Sequence, residues 1–162
     1  MPFRLLTTLL FLASCASTPN FWYTDALLTG NPLYDSSRLV YDSPLSHLKL
    51  EFLKNQEETV AYLFLDQHRF TPDRANPQVT EIFFKMGEDV LKESIYLREG
   101  RMRLKLSKEL TEQMILALQE GKPVTIIANE LKEIIDPASF EKAYAKFLKG
   151  SGPLNFIKGP FE

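Results

Sequence analysis

Hydrophobic and polar residues alternate with a period close to two between residues 38 and 106, which predicts β-strands. The clearest case is the run 48–52, where Leu48, Leu50 and Phe52 alternate with charged residues. The run 59–65 is apolar on both faces and predicts a central strand. Further strands are predicted at 38–41, 79–86, 90–97 and 101–106, with Gly87-Glu88-Asp89 as a hairpin turn.

The carboxyl third of the chain changes to the period of an α-helix. Ser107 is a good N-cap, and Gly121 with Pro123 ends the first predicted helix. Its apolar stripe consists of Leu110, Met114, Ile115 and Leu118. The segments 124–128 and 131–135 predict a second, short hairpin.

A second helix is predicted after Asp136-Pro137, which has the order N-cap followed by proline at the first helical position. Gly150 is predicted to end this helix. Its apolar stripe consists of Phe140, Tyr144, Phe147 and Leu148.

Together these elements predict one α+β domain over residues 38–150. We expect an antiparallel β-sandwich or curled sheet of about six or seven strands with two C-terminal amphipathic helices. Residues 15–37 are interpreted as a tether, and 151–162 as an irregular tail. Because the tether contains Phe21, Trp22 and Tyr23, we expect part of it to pack on the domain or at a membrane interface.

Composition excludes several classes of function. The formal net charge of −2 gives no basic excess with which to bind nucleic acid. A single cysteine excludes an internal disulfide, and with two histidines it argues against a Cys/His structural zinc site. Glycine loops that cradle phosphates are lacking in the sequence. We therefore predict neither a cofactor nor a metal.

The amino terminus has the order of an export signal. Arg4 supplies a positive charge, residues 5–13 are uncharged and mostly apolar, and small residues follow. The apolar run is far shorter than the roughly 20 residues that a membrane-spanning helix needs. Residues 1–14 are therefore interpreted as a signal peptide.

The tetrapeptide Leu12-Ala13-Ser14-Cys15 resembles the lipobox of bacterial lipoproteins, an aliphatic residue and two small residues before a cysteine. The resemblance covers about the first fifteen residues. It implies that the signal is cut before Cys15, that its thiol carries a diacylglyceryl group, and that the membrane is a partner through this lipid. Ala16 follows Cys15 where an aspartate would favour retention in the inner membrane, so the resemblance implies the outer membrane.

Two candidate sites remain behind the anchor. Asp66 and His68 would share one face if the strand at 59–65 continued, so that a carboxylate could orient an imidazole. No marked nucleophile accompanies them, so a polar strand end is the alternative. Arg101, Arg103 and Lys105 alternate with apolar residues and predict a basic stripe. Such a stripe could meet an anionic envelope component, although a solvated sheet face whose opposite side builds the core is the favoured interpretation.

These features predict a membrane-anchored envelope lipoprotein with a non-enzymatic binding or structural role, with an envelope protein as a further candidate partner. A hydrolase or isomerase using His68 and Asp66 is the first alternative. A carrier of lipid or another hydrophobic ligand is the second, and it requires an apolar cavity between sheet and helices.

Overall fold

The structure is a computed structural model that describes residues 21–27, 36–44, 47–55 and 58–150. Within these residues the fold is α+β, with antiparallel β-sheets and two α-helices. The elements are β1 (Trp22–Leu27), β2 (Ser36–Tyr41), β3 (Leu48–Lys54), β4 (Thr59–Leu65), β5 (Val79–Met86), β6 (Asp89–Tyr96), β7 (Arg103–Lys105), α1 (Lys108–Gln119), β8 (Val124–Ala128), β9 (Leu131–Ile135) and α2 (Phe140–Lys149).

The strands form two sheets. The five-stranded sheet has the order β1-β2-β3-β4-β7, and the four-stranded sheet has the order β6-β5-β8-β9. Every pairing is antiparallel. The described residues therefore contain nine strands, and the expected number of six or seven was too low.

The largest difference from the sequence prediction is β1, which lies inside the segment 15–37 interpreted as a tether. β1 pairs with β2 in the register Trp22↔Tyr41, and the Trp22 side chain is 2% exposed. The expectation that part of this aromatic segment packs on the domain is confirmed for Trp22. The strand escaped prediction because its next two residues, Tyr23 and Thr24, do not extend an apolar alternation.

Local periodicity located most other elements well. β4, β5, β8 and β9 have the predicted bounds, and the β5–β6 hairpin turns at Gly87, whose φ of +64° favours glycine. β7 is shorter than predicted. Arg101 lies before it in a turn with φ of +51°, so it does not continue the strand.

One core joins both sheets and both helices. In the five-stranded sheet the residues that face it are at alternate positions, such as Leu48, Leu50 and Phe52 in β3. Ile82 and Phe84 of β5 face the same core from the four-stranded sheet. Buried side chains of α1 and α2 complete this cluster. The predicted stripe of α2 was wrong at Leu148, which is 44% exposed.

The two helices begin differently. The Ser107 hydroxyl accepts a hydrogen bond from the Leu110 amide at 3.2 Å, which confirms the predicted N-cap of α1. The predicted N-cap of α2 was wrong, because that helix starts at Phe140 after Ser139. Asp136 instead accepts from the Ala138 amide at 2.8 Å, and this local turn delays the helix by three residues relative to Pro137.

Two hydrogen bonds join the five-stranded sheet to the end of β9. The Trp22 indole Nε1 donates to the carbonyl of Asp136 at 2.8 Å, and the Tyr41 hydroxyl donates to the carbonyl of Ile134 at 3.3 Å. Aromatic rings pack around them, with the centroids of Trp22 and Tyr41 5.0 Å apart. The point where the chain enters the fold is thereby held at the β9 edge of the four-stranded sheet.

Burial of Tyr41 predicts a fall in stability at alkaline pH. Desolvation raises the pKa of Tyr41 above its ordinary value of 10.0. The folded state therefore favours the neutral phenol of Tyr41, and this stabilisation is complete below the pKa that tyrosine has in the unfolded chain. It is lost as the pH rises from that value toward the higher pKa of the folded state. Tyr41→Phe should cost about 1 kcal/mol near neutral pH through the lost hydrogen bond, and should make the alkaline decline shallower.

Urea denaturation of the wild type and Tyr41→Phe between about pH 7 and pH 11 measures both effects. Tyr96 is 71% exposed, so Tyr96→Phe is the matched control and should follow the wild-type pH curve. Burial also raises the pKa of Tyr144, so some alkaline decline should persist in Tyr41→Phe. An unchanged slope in Tyr41→Phe would contradict the assignment to Tyr41.

Candidate functional site

A cleft lies on the outer face of the five-stranded sheet, the face opposite the core. It has a volume of about 340 Å³. Strand alternation explains its composition, because residues that alternate with the buried Leu39 and Leu50 must point outward. The lining residues are Tyr23, Arg38, Val40, Lys49, Glu51, Phe64, Leu65, Asp66 and Met102.

A stacked arginine forms one side of this face. The Arg103 guanidinium carbon lies 3.7 Å from the centroid of the Tyr62 ring and 4.8 Å from that of Phe64. The β4–β7 register places Phe64 directly opposite Arg103. Cation–π contacts of this kind contribute roughly 0.5–2 kcal/mol each, so the guanidinium is held in place by the two rings.

A buried carboxylate neighbours the stack. Glu51 of β3 lies opposite Tyr62 in the sheet, and its side chain is only 12% exposed. Its Oε1 is 3.9 Å from the Arg103 Nη2, which offsets part of the cost of burying the charge. The charges of Arg103 and Glu51 are therefore held in fixed positions beside the aromatic rings of Tyr62 and Phe64.

The other basic groups of this face are also paired. Arg38 Nη2 lies 2.8 Å from Asp25 Oδ2, and the backbone register puts the two residues side by side on β1 and β2. Lys49 Nζ lies 3.0 Å from Asp42 Oδ2, and this hydrogen bond raises the pKa of Lys49 above its ordinary value. Positive and negative charges therefore balance around the cleft.

The predicted basic stripe divides between two environments. Arg103 and Lys105 share the outer face of the five-stranded sheet, whereas Arg101 lies in the preceding turn. Arg103 is beside Glu51, and Lys105 Nζ is 3.8 Å from Glu58 Oε1. An anionic partner for these residues stays a prediction, and it would compete with carboxylates that are already present.

The structure does not bring Asp66 and His68 onto one strand face. β4 ends at Leu65, and the chain turns at Gln67, whose φ is +60°. Asp66 lines the cleft, and His68 is not among its lining residues. The His68 ring packs edge-on against His47, with centroids 5.2 Å apart, and both side chains are exposed.

The described residues contain neither a metal-binding cluster nor a membrane-spanning helix. No group of three or more His, Cys, Asp or Glu side chains in the described ranges could hold a metal ion. No helix among residues 21–27, 36–44, 47–55 and 58–150 is long and apolar enough to cross a membrane. Cys15 and the lipobox-like tetrapeptide lie outside the described residues.

Sequence reasoning missed the Arg103 stack and the burial of Glu51. The alternation of residues 101–106 indicated which side chains share a face, but the partner strand was unknown. Tyr62 and Phe64 become neighbours of Arg103 only because β7 pairs with β4. The two outward aromatic residues on an otherwise central apolar strand were the one available signal for this surface.

Comparison with known proteins places the chain in no family. None of the searches against protein-family models, curated proteins and solved structures finds a match.

Proposed function

We propose that this protein is a lipid-anchored component of the bacterial cell envelope, carried by the outer membrane, that acts by binding and not by catalysis. The anchor is a lipid on Cys15. The binding surface is the cleft of the five-stranded sheet together with the Arg103 stack on the same face, which shares Phe64 with the cleft. A protein or another component of the envelope is the proposed ligand.

The observation that carries this proposal is the position of Trp22. It is a core residue of β1, so the fold has begun only seven positions after Cys15. The carbonyl of Phe21 already accepts a hydrogen bond from the Asp42 amide at 3.0 Å. Six steps of fully extended chain from Cys15 to Phe21 span at most about 20–22 Å. A lipid on Cys15 would therefore hold the domain close to the bilayer.

The character of the cleft supports binding. Aromatic faces beside fixed, paired charges can hold a ligand by stacking and hydrogen bonding. The candidate general base is not assembled there, because Asp66 lines the cleft and His68 packs on His47. An enzyme built on these two residues would need a rearrangement of the turn at Gln67.

The scaffold in this proposal is the predicted β-sandwich closed by two helices. It is supported by the single cluster to which both sheets and both helices contribute. Fully buried phenylalanine side chains occupy the space where a carrier would hold a hydrophobic ligand. These are Phe52, Phe70, Phe84, Phe140 and Phe147.

Cys15→Ser tests the anchor. In lipoproteins the lipid is attached through sulfur, so the serine variant should carry no acyl mass and should leave the membrane fraction almost completely. Fractionation after an alkaline carbonate wash, with intact-mass measurement of the product, reads out both effects. The wash removes protein that is held only peripherally.

Ser17→Ala is the matched control, because it removes a hydroxyl group two residues from Cys15 and leaves the lipobox-like tetrapeptide intact. This variant should be acylated like the wild type. A wild-type chain without acyl mass would show the anchor proposal to be wrong.

A further inference from the structure

The outer face of the four-stranded sheet combines exposed apolar side chains with lysines. Strand alternation and register place these residues on the side of the sheet that faces away from the core. We call this surface the lysine face. It is defined by Phe83, Lys85, Lys92, Ile127, Lys132 and Ile134.

The sheet register arranges the lysine face in rows. In one row Phe83 lies between Lys92 and Ile127, and Lys132 follows beyond Ile127. The apolar side chains of this face are exposed to solvent, Ile134 to 55% and Phe83 and Ile127 each to 38%. Apolar groups flanked by long basic side chains are the composition found where proteins meet a lipid surface.

The lysine face has an excess of positive charge. Lys92 Nζ lies 2.6 Å from Glu81 Oε1, the one carboxylate among the described residues that projects from this side of the four strands. Neither Lys85 nor Lys132 forms an ion pair with a described residue. Lys85 and Lys132 are thus unpaired, whereas Lys92 also interacts with the nearby carboxylate of Asp73.

The outer face of the five-stranded sheet does not share this excess. Its basic residues Arg38, Lys49, Arg103 and Lys105 each have a carboxylate within 4 Å. An anionic surface would have to displace those carboxylates in order to bind there. Charge complementarity therefore favours the lysine face of the other sheet.

The lysine face is also close to the point where the chain enters the fold. Trp22 donates to the carbonyl of Asp136, two residues after Ile134 at the edge of the lysine face. From β9 to β6 the sheet is three strand spacings wide, or about 14 Å. Since six residue steps from Cys15 to Phe21 can span at most about 20–22 Å, a lipid on Cys15 is within reach of this edge.

We propose that the lysine face rests on the anionic phospholipid surface of the membrane, with the apolar side chains against the headgroups. The location rests on the proposed lipid anchor, which would keep this edge of the domain at the bilayer. The contact itself depends on the unpaired Lys85 and Lys132, with Lys92, which is paired with Glu81, beside them. With this orientation the cleft on the opposite sheet faces away from the membrane and stays accessible to a ligand.

Vesicle binding by a chain without the lipid tests the proposed contact separately from the anchor. The full chain with Cys15→Ser serves as the background, so residues 1–14 contribute equally to every variant. Binding is measured by co-sedimentation with vesicles of phosphatidylglycerol and phosphatidylcholine, and with vesicles of phosphatidylcholine alone. A basic residue near an anionic surface contributes about fivefold to binding, so neutralising the three lysines should weaken binding to the anionic vesicles about tenfold to hundredfold.

The test variant combines Lys85→Gln, Lys92→Gln and Lys132→Gln. Its matched control makes the same change in net charge on the other sheet, with Lys49→Gln, Arg103→Gln and Lys105→Gln. Circular dichroism and the thermal midpoint establish that both variants are folded. The proposal expects a loss of binding in the lysine-face variant, wild-type binding within about twofold in the control, and weaker binding by all chains as salt is added.

Two results would overturn the proposal. Equal losses in the two triple variants would mean that net charge alone governs binding, and wild-type affinity in the lysine-face variant would mean that this face makes no contact. Either result leaves the anchor proposal intact, because the background chain has no lipid. Conversely, a failure of the Cys15→Ser fractionation would leave the vesicle result standing.

Discussion

Trp22→Ala should lower the free energy of unfolding by about 3–5 kcal/mol, the range for truncation of a large buried aromatic side chain. The indole packs between three other rings, with centroid distances of 4.8 Å to Phe140, 5.0 Å to Tyr41 and 6.3 Å to Phe52. The substitution removes these contacts and the hydrogen bond to Asp136. A loss of this size would leave a domain of ordinary stability close to unfolding.

The same substitution decides whether residues before 38 belong to the fold. In a tether, loss of an aromatic side chain would leave the stability unchanged. Tyr23→Ala is the matched control, because Tyr23 is next to Trp22 in β1 but is 46% exposed, and we expect it to change stability by less than about 1 kcal/mol. Urea denaturation of the two variants measures the difference. If both variants had wild-type midpoints, the placement of Trp22 in the core would be incorrect.

Phe140→Ala should have a comparable effect, also about 3–5 kcal/mol, for a different structural reason. Phe140 is the first residue of α2 and is fully buried. Its ring lies 6.2 Å from that of Phe52 and 5.3 Å from that of Tyr144, so it fixes the start of the helix on the five-stranded sheet. Without this ring the helix keeps its backbone hydrogen bonds but loses its main apolar contact with β1 and β3.

Phe140→Leu is the conservative control and should recover most of the lost stability, because it keeps most of the apolar volume that Phe140→Ala removes. A double-mutant cycle with Trp22→Ala gives a sharper measurement. The rings of Trp22 and Phe140 are in contact, so the double variant should lose less free energy of unfolding than the sum of the two single losses, by about 0.5–3 kcal/mol. Additive losses would mean that α2 and β1 do not pack against each other.

Local sequence signals predicted most elements and several of their boundaries. The Ser107 N-cap and the bounds of β4, β5, β8 and β9 needed no tertiary information, since strand and helix periods act over a few residues. The start of α2 was misplaced because Asp136 can cap either a helix or a short turn. The Trp22 indole donates to the Asp136 carbonyl from 114 residues away in the sequence, a contact that local signals cannot anticipate.

For the candidate sites too, local alternation predicted some placements correctly and missed the turns that interrupt the strands. Sequence alternation correctly put Arg103 and Lys105 on one sheet face, and it extended the strand to Arg101 because it cannot sense the turn there. It put Asp66 and His68 on one face on the condition that β4 continued beyond Leu65, and the turn at Gln67 separates them. Positive φ values at Arg101 and Gln67 ended both patterns, and neither residue type signals such a turn.

By itself, the sequence determined the α+β class and the position of most strands and helices. It also predicts the attachment of a lipid at Cys15. These depend on short-range patterns, namely periods of two and 3.6 residues and an ordered signal of charge, apolar length and cysteine. Only the tertiary structure decided that Trp22 belongs to the core and that Arg103 stacks on Tyr62 and Phe64. It also decided that unpaired lysines gather on the outer face of one sheet, since strand order and register alone bring residues distant in the chain together.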